Sequence, residues 1–211
     1  MDLQEKPRGK LRTGFTTGTS ATAASMAAIL SIINQKKIES VYVLLPKKDK
    51  IKISINSCEF DKNKACCSVI KDGGDDPDVT HGAEIIVDLE LTSKSNSIEI
   101  DGGEGVGRVT KPGIGLEIGQ AAINPTPRKM ITENLTQAGK KILEKNGIKV
   151  VISVPKGKEL GPKTDNPRIG IMGGISILGT SGIVYPFSTA SWAAAIRQQI
   201  DVVVSMGDNT V

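Results

Sequence analysis

The chain has 211 residues, 38% of them hydrophobic and 24% charged, and its 27 basic and 23 acidic side chains leave a net charge of +4. That balance describes one large or two small globular domains and excludes a disordered chain. The lysines are interspersed with acids and no basic run alternates with aromatics, which speaks against a nucleic-acid partner, whereas a mild positive surplus suits an anionic small molecule.

Residues 1–12 read as a flexible charged arm with no apolar stretch, and the longest apolar runs are too short to span a bilayer. The expectation is a cytoplasmic protein with no membrane partner. The polar stretch TGFTTGTS (13–20) opens onto ATAASMAAILSIINQ, whose alanines and apolar spacing predict a helix over 21–35 capped by Thr19 or Ser20. A Gly/Thr loop ahead of a helix N-terminus is a geometry that favours anions.

VYVLL (41–45) and IKISI (51–55) flank PKKDK and predict a hairpin. ACCSVI (65–70) and EIIVDLEL (84–91) are predicted strands on either side of KDGGDDPDVTHG (71–82), and SIEI (97–100) is another. Cys58, Cys66 and Cys67 are odd in number, without C-x-x-C spacing, and read as reduced, partly buried thiols. AAINPTPR (121–128) leads into a helix predicted over about 127–145, with Thr126 as N-cap and Pro127 in the first turn. IKVVISVP (148–155) is a buried strand, a helix follows near 188–200, and DVVVSM (201–206) reads as a strand. Hairpins first and strand–helix alternation later indicate an α+β fold with an α/β start near the C-terminus.

Glycine concentrates in a few loops. DGGEGVGRVTKPGIG (101–115) holds six glycines in 15 residues, more than a turn needs, so ligand contact is expected there. Pro112 prevents a clean helix start, so the loop is not a dinucleotide-binding turn, and no P-loop occurs. The loop 71–82 gathers Asp72, Asp75, Asp76, Asp78 and the chain's single His, His81. Three readings stand: a turn whose Asp side chains bond their own backbone, an acid–base or substrate contact, or a metal site. Arg108, Lys111, Arg128, Lys163 and Arg168 lie in Gly- or Pro-rich loops, where a guanidinium is well placed to bind carboxylate.

Taken together, LRTGFTTGTSATAA (11–24), KDGGDDPDVTHGAEI (71–85), GGEGVGRVTKPG (102–113), AAINPTPRKMI (121–131) and NPRIGIMGGISILGTSGIVYP (166–186) resemble the CbiD family. The resemblance covers nearly the whole chain, with five motifs in the same order. It implies a cobalt-precorrin-5B C1-methyltransferase of anaerobic cobalamin biosynthesis, which uses S-adenosylmethionine as cosubstrate and gives cobalt-precorrin-6A. It implies an α+β domain resembling the ribosomal protein S5 domain 2-like fold over 1–147. The start of a smaller α/β domain would follow over 148–211, continuing past Val211. Ser20 stands where many members carry Cys, and Asp165 where an aromatic is common. The Ser argues that a thiol at position 20 is not essential to the reaction.

Under that resemblance, Asp75, Asp76 and His81 are the expected catalytic residues. Arg108, Lys111, Arg128 and Arg168 are expected to bind the substrate's carboxylates. Gly173, Gly174, Gly179, Thr180 and Gly182 are expected to hold the donor, with no metal ligands. The expected partner is a small-molecule corrinoid, and a homo-oligomer stays open. Two alternatives remain: a truncated corrinoid-binding module without turnover, and a metal-dependent hydrolase built on the Asp/His loop.

Overall fold

The computed structural model describes residues 9–207. Most of the expected N-terminal arm and the chain's end at Val211 lie outside the described residues. In chain order the elements are β1 (Gly14–Phe15), α1 (Thr17–Asn34), β2 (Ser40–Leu44), β3 (Lys50–Ser54), β4 (Ser57–Phe60), β5 (Lys64–Ile70), β6 (Glu84–Thr92) and β7 (Ile98–Gly102). They continue with β8 (Arg108–Val109), α2 (Pro125–Ala138), α3 (Lys140–Leu143), β9 (Gly147–Ser153), α4 (Gly157–Leu160), β10 (Ile171–Met172), β11 (Ile183–Val184) and α5 (Thr189–Ser205). The fold is mixed α+β.

Five strands form the main sheet in the order β4-β5-β6-β9-β7, with only β7 and β9 parallel. Period-2 alternation puts Cys67, Val87 and Ile152 in register on one face, and Ala65, Leu89 and Val150 beside them. That face is buried under α1, which packs against α2. Burying each Val, Leu or Ile contributes about 1.5–3 kcal/mol, so this layer supplies most of the apolar stabilisation. The other face is solvated and carries paired charges such as Lys64 and Glu90, 2.9 Å apart.

α1 is small or apolar on every side, and nearly all of it from Thr17 to Ile32 is buried. Ser20, Thr22 and Ser25 donate to the carbonyls of Thr16, Gly18 and Ala21 within the helix, whereas Thr17 and Thr19 donate outside it, to the carbonyls of Ser176 and Gly182. Thr16, not Thr19 or Ser20, is the N-cap, and its Oγ1 accepts from the Thr19 N–H. The helix starts early because Thr19 and Ser20 point into buried partners.

Other expectations need correction. The helix after residue 121 begins at Pro125 with Asn124 as N-cap, and it breaks at Gly139 into α2 and α3. β4 was not foreseen, because SCEF is too short to alternate visibly. Residues 201–205 are helical, with Met206 as the C-cap. No Gly or Pro interrupts the chain between Thr189 and Ser205, so α5 runs through the β-branched Val202–Val204 and ends near Gly207. A division at 147/148 meets β9 at its first residues. That strand sits between β6 and β7, so it belongs with the sheet that precedes it.

Candidate functional site

Three polar segments far apart in sequence converge beyond the N-terminal ends of the helices. β1 pairs with β11, placing Gly14 opposite Val184. The loop 71–82 is laced to the same strand: the Phe15 N–H donates to the Asp72 carbonyl at 2.8 Å and the Asp75 N–H to the Arg12 carbonyl at 3.0 Å. Thr17 Oγ1 accepts from the Leu178 N–H at 2.9 Å, drawing the segment after β10 to the start of α1.

These segments enclose a cavity of about 620 Å³. The N-cap residues of three helices line it: Thr16 of α1, Asn124 of α2 and Ser188 of α5. None of these helices has an acidic residue in its first turn. Three positive helix ends therefore meet at one hollow, a setting that favours a negatively charged group. The Asn124 side chain makes no capping bond.

Half of the chain's scarce aromatics line the same cavity: its one Trp (Trp192), one of two Tyr (Tyr185) and one of three Phe (Phe187). Trp192 is 72% exposed. Phe187 adopts left-handed backbone (φ 56°), uncommon for a bulky residue, and its N–H donates to Asp76 Oδ1 at 2.8 Å. Gly179 lines the opposite wall at φ 133°, where a Cβ would come within 2.3 Å of Thr16 Oγ1. Only glycine fits that wall.

A second hollow of about 590 Å³ holds Asp101, Arg108, Gln120, Pro125 and Arg128. Asn124 lines one cavity and Pro125 the other, so the two flank the start of α2. Arg108 forks onto Asp101 at 2.9 and 3.3 Å and donates to the Gly102 carbonyl at 2.6 Å. Arg128 donates to the carbonyls of Ile123 and Ile100 at 3.0 and 2.8 Å, and its partial burial lowers its pKa. Burial alone would raise the Asp101 carboxyl, but Arg108, the Gly102 N–H and the charge of Arg128 outweigh it and hold the carboxyl below its ordinary value.

The expected site residues separate into groups. Asp76, Gly179 and Thr180 line the first cavity, and Arg108 and Arg128 line the second. Gly182 stands behind the first, its carbonyl accepting from the Thr16 N–H and Thr19 Oγ1. The Asp75 carboxylate is tied down, its Oδ2 accepting from the Arg12 N–H at 2.6 Å. His81 Nδ1 accepts from the Gly73 N–H at 3.0 Å, so that ring nitrogen is committed to holding the loop. Asp72 pairs with Arg12, whose guanidinium holds its carboxyl below the ordinary range, and Asp78 pairs with the buried Lys71. Most of the acidic loop is thus a locked turn, and Asp76 is the carboxylate that reaches the cavity.

Lys111 and Arg168 line neither hollow. The Lys111 stem lies against Gly170, and Arg168 is exposed beside Asp165 at 3.7 Å. Gly173 and Gly174 also lie elsewhere. Gly174 packs its backbone onto Gly105, where a Cβ would approach the Gly105 carbonyl oxygen to 2.2 Å. The same contact explains part of the glycine richness of 101–115: it permits backbone-to-backbone packing, which corrects the expectation of ligand contact at Gly105. Among the described residues no three His, Cys, Asp or Glu side chains converge as a metal-ligand set, and no helix is long and apolar enough to cross a membrane. Thr16, Asn124, Tyr185, Phe187 and Trp192 were not foreseen. The clustering of aromatics after residue 184 in an aromatic-poor chain was the available signal.

A family model described as CbiD matches residues 4–186. The chain is 50% identical over 197 residues to the cobalt-precorrin-5B C(1)-methyltransferase of Geobacillus kaustophilus, covering 93% of this chain and 53% of that protein. It is 50% identical over 204 residues to the protein of the same name from Rubrobacter xylanophilus, covering 95% and 52%. The crystal structure of a cobalamin biosynthesis protein (CbiD) from Archaeoglobus fulgidus superposes with a TM-score of 0.64 at 35% identity, covering 90% of this chain and 60% of that one. The chain spans about half the length of the curated relatives it matches.

Proposed function

The chain belongs to the CbiD family, and from that premise we propose that it carries the methyl-transfer site of a cobalt-precorrin-5B C1-methyltransferase using S-adenosylmethionine. The observation that carries this reading is the juxtaposition of two unlike hollows across Asn124–Pro125. One is aromatic and ringed by helix N-termini; the other is cationic. A methyl transfer needs two reactants held in contact with water excluded, and two adjoining hollows provide that arrangement.

The first hollow suits the donor. Tyr185, Phe187 and Trp192 offer flat faces for an adenine ring. The N–H groups at the start of α5, with Thr180, suit an amino-acid carboxylate. Asp76 faces the cavity with a carboxylate that complements a cationic centre. When bound, the donor supplies an electrophilic methyl group on a sulfonium. Gly179 and Thr180 keep their proposed role in this wall, and Gly182 supports it from behind through its carbonyl. Gly173 and Gly174 lie away from the hollow, and Gly174 serves backbone packing against Gly105.

The second hollow suits the acidic arms of a corrinoid ring. Arg108 and Arg128 would exchange their present acceptors, Asp101 among them, for substrate carboxylates. Asp76 is the proposed proton acceptor, and Asp75 and His81 act through the loop they fasten. Lys111 and Arg168 would meet outlying arms of the ring. The S5 domain 2-like description of the sheet and helices belongs to the same reading. So do a cytoplasmic location and a second domain, which we place from the lead-in to α5 onward.

The test is transfer of a labelled methyl group from S-adenosylmethionine to cobalt-precorrin-5B, run beside a corrinoid titration. Transfer with a one-methyl mass gain is the expected result. Binding without transfer would favour a module lacking turnover, and neither binding nor transfer would overturn the reading.

A further inference from the structure

The segment 110–120, between β8 and α2, leaves the body of the fold and returns to the point it left. Val109 closes its base: the Val109 N–H donates to the Gln120 carbonyl at 3.0 Å, and the Val109 carbonyl accepts from the Gly119 N–H at 2.8 Å. The outgoing limb is fastened. The Thr110 N–H donates to the Gly170 carbonyl at 2.7 Å, and Ile114 packs with Ala122, Ile169, Ile171 and Val202. The returning limb is held differently. Among the described residues, the hydrogen bonds of Leu116–Ile118 run only between Glu117 and Gln120, within the loop. Gly115 and Gly119 bracket these three residues at φ 73° and 90°, and nothing lies within 4 Å of where a Cβ would stand on either. Neither glycine makes room for a neighbour, so what both supply is backbone conformation.

Leu116 and Ile118 line the cationic hollow together with Arg108 and Arg128. They also line a second opening of about 670 Å³ whose walls, from Pro112 to Gln120, all belong to this loop. The loop thus stands clear of the body as an arch, with Ile118 65% exposed. Aliphatic side chains beside two guanidinium groups make an amphiphilic surface: the cations take carboxylates, and the aliphatic carbons take the apolar frame that joins them. We propose that Leu116 and Ile118 are substrate contacts that close on the apolar face of the macrocycle while Arg108 and Arg128 hold its acid arms. This rests on the corrinoid reading of the second hollow, and it adds the element that selects a ring over a simple polyacid. Gly115 and Gly119 are the hinges: rotation there swings Leu116–Ile118 while Ile114 and the Val109 pairing stay fixed. Closure takes two aliphatic side chains out of water and shields the carboxylate–guanidinium pairs from it.

The test uses the 211-residue chain and dicyanocobyrinic acid, a corrinoid whose arms are free carboxylates, in equilibrium dialysis read by the corrinoid's visible absorbance. Leu116→Ser with Ile118→Ser is expected to weaken binding by at least about tenfold, the scale of losing two aliphatic contacts. Leu116→Met with Ile118→Val keeps the apolar surface and is expected to keep affinity within about threefold of the unaltered chain. Ile118→Ser alone, at the most exposed of these positions, is the change least able to disturb the fold and should cost at least about threefold. Unchanged melting curves would show that the variants are folded. Equal affinity of the unaltered chain and the Ser variants overturns the proposal and leaves the corrinoid reading standing. An equal loss in the Met/Val and Ser/Ser pairs overturns it too, because apolar contact would then not be what the loop supplies. If the unaltered chain takes up no corrinoid, the reading beneath the proposal fails and the proposal fails with it.

Discussion

Asp76 Oδ1 accepts a hydrogen bond from the Phe187 N–H at 2.8 Å, joining two segments 111 positions apart. The bond holds Phe187 in its left-handed conformation and sets the lead-in to α5, so one carboxylate shapes the aromatic cavity while facing it. Asp76→Ala removes both functions. A charge-assisted hydrogen bond contributes about 1.5–3 kcal/mol, so affinity for S-adenosylhomocysteine should fall by about tenfold or more. Asp76→Asn keeps the acceptor oxygen and should lose less affinity than the Ala variant. If the two variants bind alike, the hydrogen bond is not what matters.

Lys71 is 2% exposed and pairs with Asp78 Oδ2, while Thr80 donates to Asp78 Oδ1 twice, at 2.7 and 2.6 Å. Removing one member of a buried pair costs about 3–5 kcal/mol, so Lys71→Met should lower the melting temperature markedly. Burial by itself would raise the Asp78 carboxyl; the charge and hydrogen bond of Lys71, with Thr80, outweigh it and depress the value. A depressed carboxyl stabilises the fold above its unfolded value, about 3.9, and that stability is lost as pH falls through the folded value. Asp72, depressed by Arg12, adds to the same trend. Melting temperature should therefore hold near neutrality and drop in acid, with a shallower drop in Asp78→Asn.

Arg108 and Arg128 share a hollow but differ in what they hold. Arg108 meets the exposed carboxylate of Asp101, whereas Arg128 caps two main-chain carbonyls. Arg108→Glu should raise the KM for corrinoid by roughly tenfold or more with little change in melting temperature. Arg128→Ala should lose both corrinoid affinity and stability. Equal melting temperatures for the two variants would contradict this division.

The thiols are placed for packing. Burial, then the hydrogen bond and charge of Asp88, push the Cys66 thiol up to about 11. Cys67 is pushed higher still, chiefly by burial and then by the facing Cys58. At pH 8 the folded protein should react with a thiol reagent about a hundredfold more slowly than free cysteine, and denaturation should release all three groups. Rapid labelling of Cys58 or Cys67 in the native chain would contradict their burial.

The strands of the main sheet were legible because period-2 alternation survives wherever one face is buried, as from Ala65 to Val69 and Ile85 to Leu89. The helix α1 was legible from its alanines. Residues 201–206 were not: three consecutive valines favour a strand locally, and only the uninterrupted run from the Ser188 cap makes them helical. The site was half legible. Asp76, Gly179, Arg108 and Arg128 stood out as chemistry-bearing residues, but nothing in the linear order said that Gly14 pairs with Val184. That pairing brings the start of α1 beside the segment that carries Gly179. Glycine gave a mixed signal, since Gly105 and Gly174 serve each other's backbones while Gly179 serves the cavity.

The cavity among Thr16, Asn124 and Ser188 is where we propose that the methyl donor binds. Trp192 is the chain's one tryptophan and lines that cavity, so its fluorescence reports occupancy directly. Titration with S-adenosylhomocysteine should quench or shift this emission saturably at one site per chain, and Gly179→Val should abolish the response while leaving the emission of the free protein unchanged. A titration in which the ligand binds with no change in Trp192 emission, or binds Gly179→Val equally well, would contradict it.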